Sequence, residues 1–499
     1  MELQFQKNQM PYLRQLTRQV FNQEQTVEVR LEEGMPEIGR VLGTWGQVIL
    51  RGKQWQGESV LVSGGVMAWV LYIPEDGGPC RSVETWLPLQ WKVDIPAVPR
   101  DGTVMATGWL RSLDGRCLSG RKLMVCADVQ MLIRISVQEM LEMPVPEELP
   151  EDVQLLEQTY QAQVPVEAGE KPFMIDEQLP LPAGLAEVEK ILTYSIQPEL
   201  IDKKLMTDKV VFRGMAIARM LYLGRDGKVH SWNGELPFAQ YGELEQEYGD
   251  DGTVQLQLVC TSLELEQGQE GLLHICAGMT GQYTIGRQME LETVTDAYSV
   301  KRQVMPQYEM LQLPQIRETD SKRVPCRMLM QMPCETIVDA TVYPMAPECS
   351  KEGDSLNVGL SGRGQVLYYN SEGELAAQQD NWHCQCDMGA VHDGGSQVYV
   401  SVTGNPQAMA EGDGCAVTMD LLVENVMTAT KELQTLVSME LPQIREEEKE
   451  GPSLILRRAG QDSLWQIAKS AGSTVERIKA ANGLDDMVSP EQILLIPIG

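Results

Sequence analysis

The chain sets 41 lysines and arginines against 71 aspartates and glutamates over 499 residues, a formal net charge of −30. That excess of carboxylates repels nucleic-acid backbones and anionic lipid, which excludes both as principal partners and leaves a basic protein surface as the electrostatic match. The length provides for several domains, each large enough for its own core.

Residues 1–25 are rich in Gln and Arg and contain no apolar segment of signal-peptide length, and no run approaches a spanning helix. Without an exporting segment, eleven cysteines in irregular spacing read as reduced thiols and not as a disulfide framework. The expected location is the cytoplasm, with no membrane insertion.

Downstream the sequence repeats itself. Val70-Leu71-Tyr72, Met220-Leu221-Tyr222 and Val366-Leu367-Tyr368 each close a β-rich run, followed by the turn pairs Asp76-Gly77, Asp226-Gly227 and Glu372-Gly373. This is a strand entering a hairpin, three times over. Trp86, Leu236 and Trp382 stand 14 residues after the tyrosines and are expected to fill equivalent core positions on the returning strands. Asp101-Gly102-Thr103 and Asp251-Gly252-Thr253 keep the first two copies in register, and a short deletion in the third brings Cys415-Ala416 level with Cys126-Ala127 and Cys276-Ala277. Alternating strands with little helical periodicity predict an antiparallel sandwich or barrel for each copy. Short helices are expected near Gln154–Gln161 and Gly184–Leu192. The Pro- and Glu-rich stretch Met143–Asp152 and the segment Met310–Lys322 read as boundaries. Leu313-Pro314-Gln315-Ile316-Arg317 returns as Leu441-Pro442-Gln443-Ile444-Arg445, and then a charged linker, 446–452, should let the tail move independently.

Catalytic chemistry has little to stand on. His230, His274, His383 and His392 lie in no hydrolase, metalloprotease or phosphate-loop context. In Trp382-His383-Cys384-Gln385-Cys386-Asp387 the side chains alternate between strand faces, so Cys384 and Cys386 read as small core residues and not as zinc ligands. Cys384 aligns with Pro88 and Phe238 of the other copies. Gly64-Gly65 and the glycines from Gly359 to Gly364 read as bulges or turns, since neither opens a helix after a strand. Met328, Met330 and Met332 alternate as one buried strand face. No enzyme, metal or cofactor is expected.

In the tail, Leu454–Leu456 forms a short strand and Ala459-Gly460-Gln461 turns it. Ser463 and Gln466 make a capping box for a helix that Gly472 ends, Ser473 and Glu476 repeat the box, Asn482-Gly483 stops the second helix, and Ile493–Ile496 closes the unit. From 453 to 498 this order of turn, helix starts, Trp465, Asn482-Gly483-Leu484 and Ile496-Pro497 resembles a LysM domain, a βααβ module associated with N-acetylglucosamine polymers. Glu491 stands where such modules commonly have Gly. The resemblance implies a shallow groove between Gly460–Leu464 and Asn482–Leu484. It marks Gly460, Asp462, Ser463, Leu464, Trp465, Lys469, Asn482, Gly483 and Leu484 as partner- or glycan-binding. With five basic and five acidic residues the tail is neutral and suited to a protein partner. Trp465 reads either as an interface anchor or as packing between the two helices.

Serial β domains ahead of a LysM domain are similar to the SipL-like morphogenetic proteins of spore-forming clostridia, whose repeated unit is the SPOCS domain. Leu181-Pro182, Gly214 and Leu221-Tyr222 meet its pattern, as do Met35-Pro36, Gly64 and Leu71-Tyr72 more loosely. The resemblance implies SPOCS-like domains over 1–142, 143–309 and 310–445, a linker over 446–452 and the LysM domain over 453–499. It also implies a non-enzymatic adaptor on the mother-cell side of the forespore surface, whose LysM domain recruits a coat basement-layer ATPase. The alternative is a peptidoglycan-binding protein of the wall or of a phage-like baseplate.

Overall fold

The computed structural model describes residues 5–95, 102–147, 149–268, 271–316, 320–353, 355–390, 395–443, 453–484 and 488–498. The first unit contains β1 (Phe5–Arg30), β2 (Ile38–Gln56), β3 (Ser59–Pro74), β4 (Arg81–Asp94), β5 (Gly102–Ser119) and β6 (Lys122–Pro146). They pair as two antiparallel sheets, β1-β6-β5 and β2-β3-β4. The second unit repeats the plan with β7 (Val153–Pro180), β8 (Val188–Leu205), β9 (Lys209–Gly224), β10 (Val229–Glu243), β11 (Gly252–Gln267) and β12 (Leu272–Ser299), ordered β7-β12-β11 and β8-β9-β10. The third splits its first two strands. β13 (Met305–Ile316) and β14 (Asp320–Gln331) share the partner β20 (Gly414–Glu440), and β15 (Cys334–Pro344) and β16 (Glu348–Glu352) share the partner β17 (Ser355–Asn370). β18 (Leu375–Ala390) and β19 (Gly395–Glu411) complete its sheets. The tail consists of β21 (Leu454–Arg458), α1 (Leu464–Ala471), α2 (Val475–Asn482) and β22 (Ile493–Pro497).

The repeated tyrosine and the leucine before it do different work. Strand alternation turns neighbouring side chains to opposite faces. Tyr72, Tyr222 and Tyr368 point into the cores of their own units. Leu71, Leu221 and Leu367 point the other way and meet in one shared cluster, with Cys80, Val229 and Leu375 from the equivalent strand starts. Equivalent bulges in β2, β8 and β15 leave Leu42, Leu192 and Val338 out of the ladder, and all three join that cluster. The units are therefore packed on one another around a common apolar centre, each touching the other two through β2–β11, β10–β15 and β5–β15.

Two glutamines close sheet edges across this junction. Gln47 donates to the Ile196 carbonyl at 2.7 Å and accepts from the Ile196 N–H at 2.8 Å, and Gln282 makes the same pair of bonds to Ala106, both at 2.8 Å. Ile196 and Ala106 lie on edge strands, whose unpaired groups otherwise invite foreign strands. The long pairs β1–β6, β7–β12 and β13–β20 extend past the units and pack together at a second meeting place, where Val153, Ala297, Leu436 and Leu441 are buried.

Each predicted hairpin turn is present, with Gly77, Gly227 and Gly373 in the left-handed region at φ 72°, 78° and 76°. In the first two, the aspartate before the glycine accepts from the N–H two residues on. The Cys-Ala marks hold in two copies only. Ala127 and Ala277 face inward, but in the third copy Cys415 does so and Ala416 faces the other side. Trp86 is displaced, because the first hairpin is one residue longer. Leu87, opposite Val66, fills the position of Leu236 opposite Ala216 and Trp382 opposite Gly362. The Arg51 guanidinium instead lies 4.0 Å from the centre of the Trp86 ring. By the same register Cys384 corresponds to Leu89, not Pro88.

No helix forms at 154–161, which lies in β7, nor at 184–192, which is turn and then β8. In β7 pairing with β12, from Gln154 opposite Tyr298 to Gln161 opposite Glu290 with one bulge between Val294 and Asp296, overrides local propensity. The stretch 310–322 is mostly strand, in β13 and the start of β14. Gly214 lies where a Cβ would come within 2.1 Å of the Glu199 carbonyl and 2.5 Å of the Phe238 ring, so a close approach, not a turn, requires it. Met328, Met330 and Met332 are all buried, as their alternation predicts.

Candidate functional site

The tail folds locally as its sequence directs, with one exception. The Ser463 hydroxyl accepts from the Gln466 N–H at 3.2 Å and Gln466 Oε1 accepts from the Ser463 N–H at 2.8 Å, which completes the first capping box. Gly472 and Gly483 end the two helices in left-handed conformation. The second helix is capped by Thr474, not Ser473. Ser473 is fully buried and its hydroxyl donates to the Pro497 carbonyl, so burial against the closing strand takes it away from the cap.

The residues marked as a binding set separate into three groups. Leu464 lies in the core with Ile467, Ile478 and Ile496, and Leu484 packs against it. Asn482 is structural: its amide donates to the Ile478 and Leu495 carbonyls at 2.7 and 2.6 Å and accepts from the Leu495 N–H at 2.7 Å. Asp462 pairs with Arg457, and with Ser463 and the left-handed Gly460 and Gly483 it stays at the surface, flanking the loops.

Trp465 and Lys469 form the third group, and they are engaged by the body. Trp465 is half-buried: it packs against the tail core and also reaches the body. Its Nε1 donates to Asp296 Oδ2 at 2.7 Å, and Lys469 Nζ reaches the two oxygens of the same carboxylate at 2.7 and 2.8 Å. The Tyr298 ring meets Trp465 edge-on with centroids 4.8 Å apart, and its hydroxyl donates to the Ser473 carbonyl at 2.9 Å. Tyr298 and Val300 belong to the apolar core of the tail. The expectation of an independently moving tail is thus replaced by a docked one, while the linker itself lies outside the described residues. Next to the docking site Arg302 binds Asp152 with two bonds of 2.9 Å and reaches the Pro442 carbonyl at 3.2 Å, which ties the end of the first predicted boundary to the start of the tail's connection.

Burial alone would push the Asp296 carboxyl up. Hydrogen bonds from Lys469, Trp465 and Tyr308, with the Lys469 charge, hold it below its ordinary value of 3.8. A depressed carboxylate stabilises contacts above its unfolded pKa and loses that contribution as pH falls through the native value. Lys469 faces it from α1 and Tyr308 from β13, and the charges of Asp296 and Glu476 both act on the Tyr298 phenol. The difference in Tm between the wild type and Asp296→Asn is therefore expected to be full at pH 5–7 and to close as pH falls below 3.8; a difference that persists in acid would contradict this role.

Sequence reading missed Asp296 and Tyr298, which are separated from Trp465 by more than 160 positions. It also missed the outer face of β21 and β22. Leu454, Leu456 and Ile493 are 47%, 67% and 66% exposed, and Leu495 and Pro497 share that face, opposite Leu456 and Leu454. The available signal was that both faces of these short strands are apolar, whereas the helices cover only one.

Elsewhere, Cys384 is not a free core thiol. It is joined to Cys326 by a disulfide that links the two sheets of the third unit, a correction to the expectation of reduced cysteines throughout. Both side chains face inward from opposing sheets with Cα atoms 6.5 Å apart, a separation within the range a disulfide spans. Among the described residues no group of three or more His, Cys, Asp or Glu is placed to hold a metal, and His392 lies outside them. A cavity of about 290 Å³ where the units meet is lined in part by Gln47, Trp109, Gln197 and Tyr343. Its one charged side chain, Arg219, is already paired with Asp339.

The fold defines a class: repeated two-sheet β units that pack on one another, ending in a βααβ module. Residues 187–266, which span β8 to β11, match the SipL, SPOCS domain, and residues 461–497 match the LysM domain. The chain thus carries one stretch similar to the SPOCS domain and one similar to the LysM domain, both of them binding domains and not known catalytic ones. That pair fits a sporulation-related adaptor or a glycan-binding protein, LysM domains typically binding peptidoglycan or N-acetylglucosamine. Nothing among curated proteins or solved structures matches the chain. Among the described residues no helix is long and apolar enough to cross a membrane.

Proposed function

We propose that the protein is a non-enzymatic adaptor of spore envelope assembly, built from three SPOCS-like units with the third starting at Met305. It works in the cytoplasm on the mother-cell side of the forespore surface, and its LysM domain recruits the coat basement-layer morphogenetic ATPase. The observation that supports recruitment of a protein is the apolar outer face of β21 and β22, where Leu456 and Ile493 are each about two-thirds exposed. Contiguous exposed aliphatic surface favours a protein interface, while a saccharide requires fixed polar partners. The face lies on the sheet side away from α1, so it stays open while the domain is docked.

Leu456→Glu and Ile493→Glu are expected to reduce capture of that ATPase from sporulating cells by the full chain at least tenfold, with circular dichroism and Tm unchanged. Retention of the ATPase by both variants would defeat the reading. Trp465→Glu is a poorer probe because it disrupts docking as well. The glycan reading keeps one supporting observation: Gly460 and Gly483 are unobstructed at the two loops. Sedimentation of the intact chain with purified peptidoglycan, without ATPase capture, would favour it.

A further inference from the structure

The contact between tail and body has the form of a ligand in a receptor. On the tail side, Trp465 and Lys469 are four residues apart on α1 and so share one helix face. They present an indole N–H, an ammonium group and an aromatic surface. On the body side, Asp296 and Tyr298 are two residues apart near the end of β12 and so share one strand face. A β-bulge between Val294 and Asp296 falls just before them, a feature that re-aims side chains. The carboxylate fills the donors at 2.7–2.8 Å and the phenol ring meets the indole at 4.8 Å.

The match is specific in chemistry and modest in strength. Lys469 is 42% and Asp296 24% exposed, so water competes for the ion pair. What keeps the pair closed is the burial of Tyr298 and Val300 in the tail core together with tethering, which gives the two faces a high effective concentration. Residues 444–452, at about 3.3–3.6 Å each, reach roughly 30 Å, enough for the domain to leave its seat without leaving the chain.

We propose that the α1 face of the LysM domain is a receptor for an extended segment bearing a carboxylate and, two residues later, an aromatic ring. The chain's own Asp296-Ala297-Tyr298 occupies it at rest, and a partner strand of the same chemistry displaces that segment and frees the domain. This face is separate from the apolar face of β21 and β22, and the inference stands whatever the partner of that second face.

Zero-length carbodiimide coupling of the full chain tests it, since only groups in contact form an amide. The intact chain is expected to yield the Lys469–Asp296 cross-link. Tyr298→Ala keeps both reacting groups and should lower the yield at least fivefold. A synthetic peptide of residues 292–300 at millimolar concentration should also lower it and become coupled to Lys469, whereas the same peptide with Asn at position 296 should do neither. By small-angle scattering, Asp296→Lys should expand the chain and Asp296→Lys with Lys469→Asp should restore compactness, which separates release from misfolding. A cross-link yield indifferent to Tyr298→Ala and to the peptide, or failure of the charge exchange to restore compactness, would overturn the proposal.

Discussion

Leu221→Arg separates the three β units while leaving each one folded. Leu221 is 3% exposed and Leu71 and Leu367 are fully buried, all in the shared centre and none in the core of a single unit. Truncating one such leucine to alanine costs about 2–5 kcal/mol, and a guanidinium placed there lacks any carboxylate from its equivalents, which raises the cost further. Tyr222, one residue on, remains in its own unit, so the sheets keep their cores. The expected signature is near-native β circular dichroism, an increased radius of gyration by small-angle scattering, and calorimetric unfolding that divides into several transitions. A variant with the wild-type radius and a single transition would show that the centre is not what joins the units.

The two-sheet plan of each unit was legible because its marks are local. A tyrosine, a turn pair with glycine and a returning strand specify one hairpin by chemistry within about 15 residues, and Gly77, Gly227 and Gly373 all occupy the left-handed conformation that such a turn needs. A mark slipped by one residue where a turn changed length, as at Trp86, because a single insertion reverses every following face. The two expected helices failed for the opposite reason: strand pairing decides those segments, 154–161 with partners more than 100 residues away in β12, and the strand part of 184–192 with Gly224 to Tyr222 of β9. The leucine before each tyrosine was visible as a repeat, but its role was not, since alternation shows that it faces away from its unit without showing what it meets. The same limit hid Asp296 behind a plausible reading of Trp465 as an exposed anchor. The LysM core, by contrast, is nearly all short-range, and its first box, its helix ends and its strands lie where the sequence puts them.

Asp339→Ala is expected to destabilise the protein by about 3–5 kcal/mol, the cost typical of stripping one partner from a buried ion pair. Arg219 donates to Asp339 Oδ1 at 2.7 Å and to the Ala340 carbonyl at 2.7 Å, while Trp45 Nε1 and the Thr341 hydroxyl donate to Oδ2 at 3.2 and 3.1 Å. The two charged side chains are only 19% and 12% exposed, so removal of the carboxylate leaves a guanidinium and an indole N–H with little water to replace it. The repeat itself does not require the pair: three residues before each tyrosine stand Trp69, Arg219 and Gln365, and only the second is charged. Three similar faces closing on one apolar centre have little to distinguish one neighbour from another. Among the described residues an ion pair crosses each junction, Lys53–Glu170 between the first and second units, Arg219–Asp339 between the second and third, and Arg363–Asp114 between the third and first, and wrong arrangements leave these charges unpaired. Urea unfolding of Asp339→Ala should therefore show a midpoint well below the wild type, and the double variant Arg219→Leu with Asp339→Leu should recover most of the stability. If that double variant also keeps the wild-type radius, the pair contributes no specificity to the order of the units, which then rests on Lys53–Glu170, Arg363–Asp114 and the apolar bulges at Leu42, Leu192 and Val338. If Asp339→Ala unfolds at the wild-type midpoint, Arg219 finds water or another acceptor at the junction, and the pair does not hold the second unit to the third.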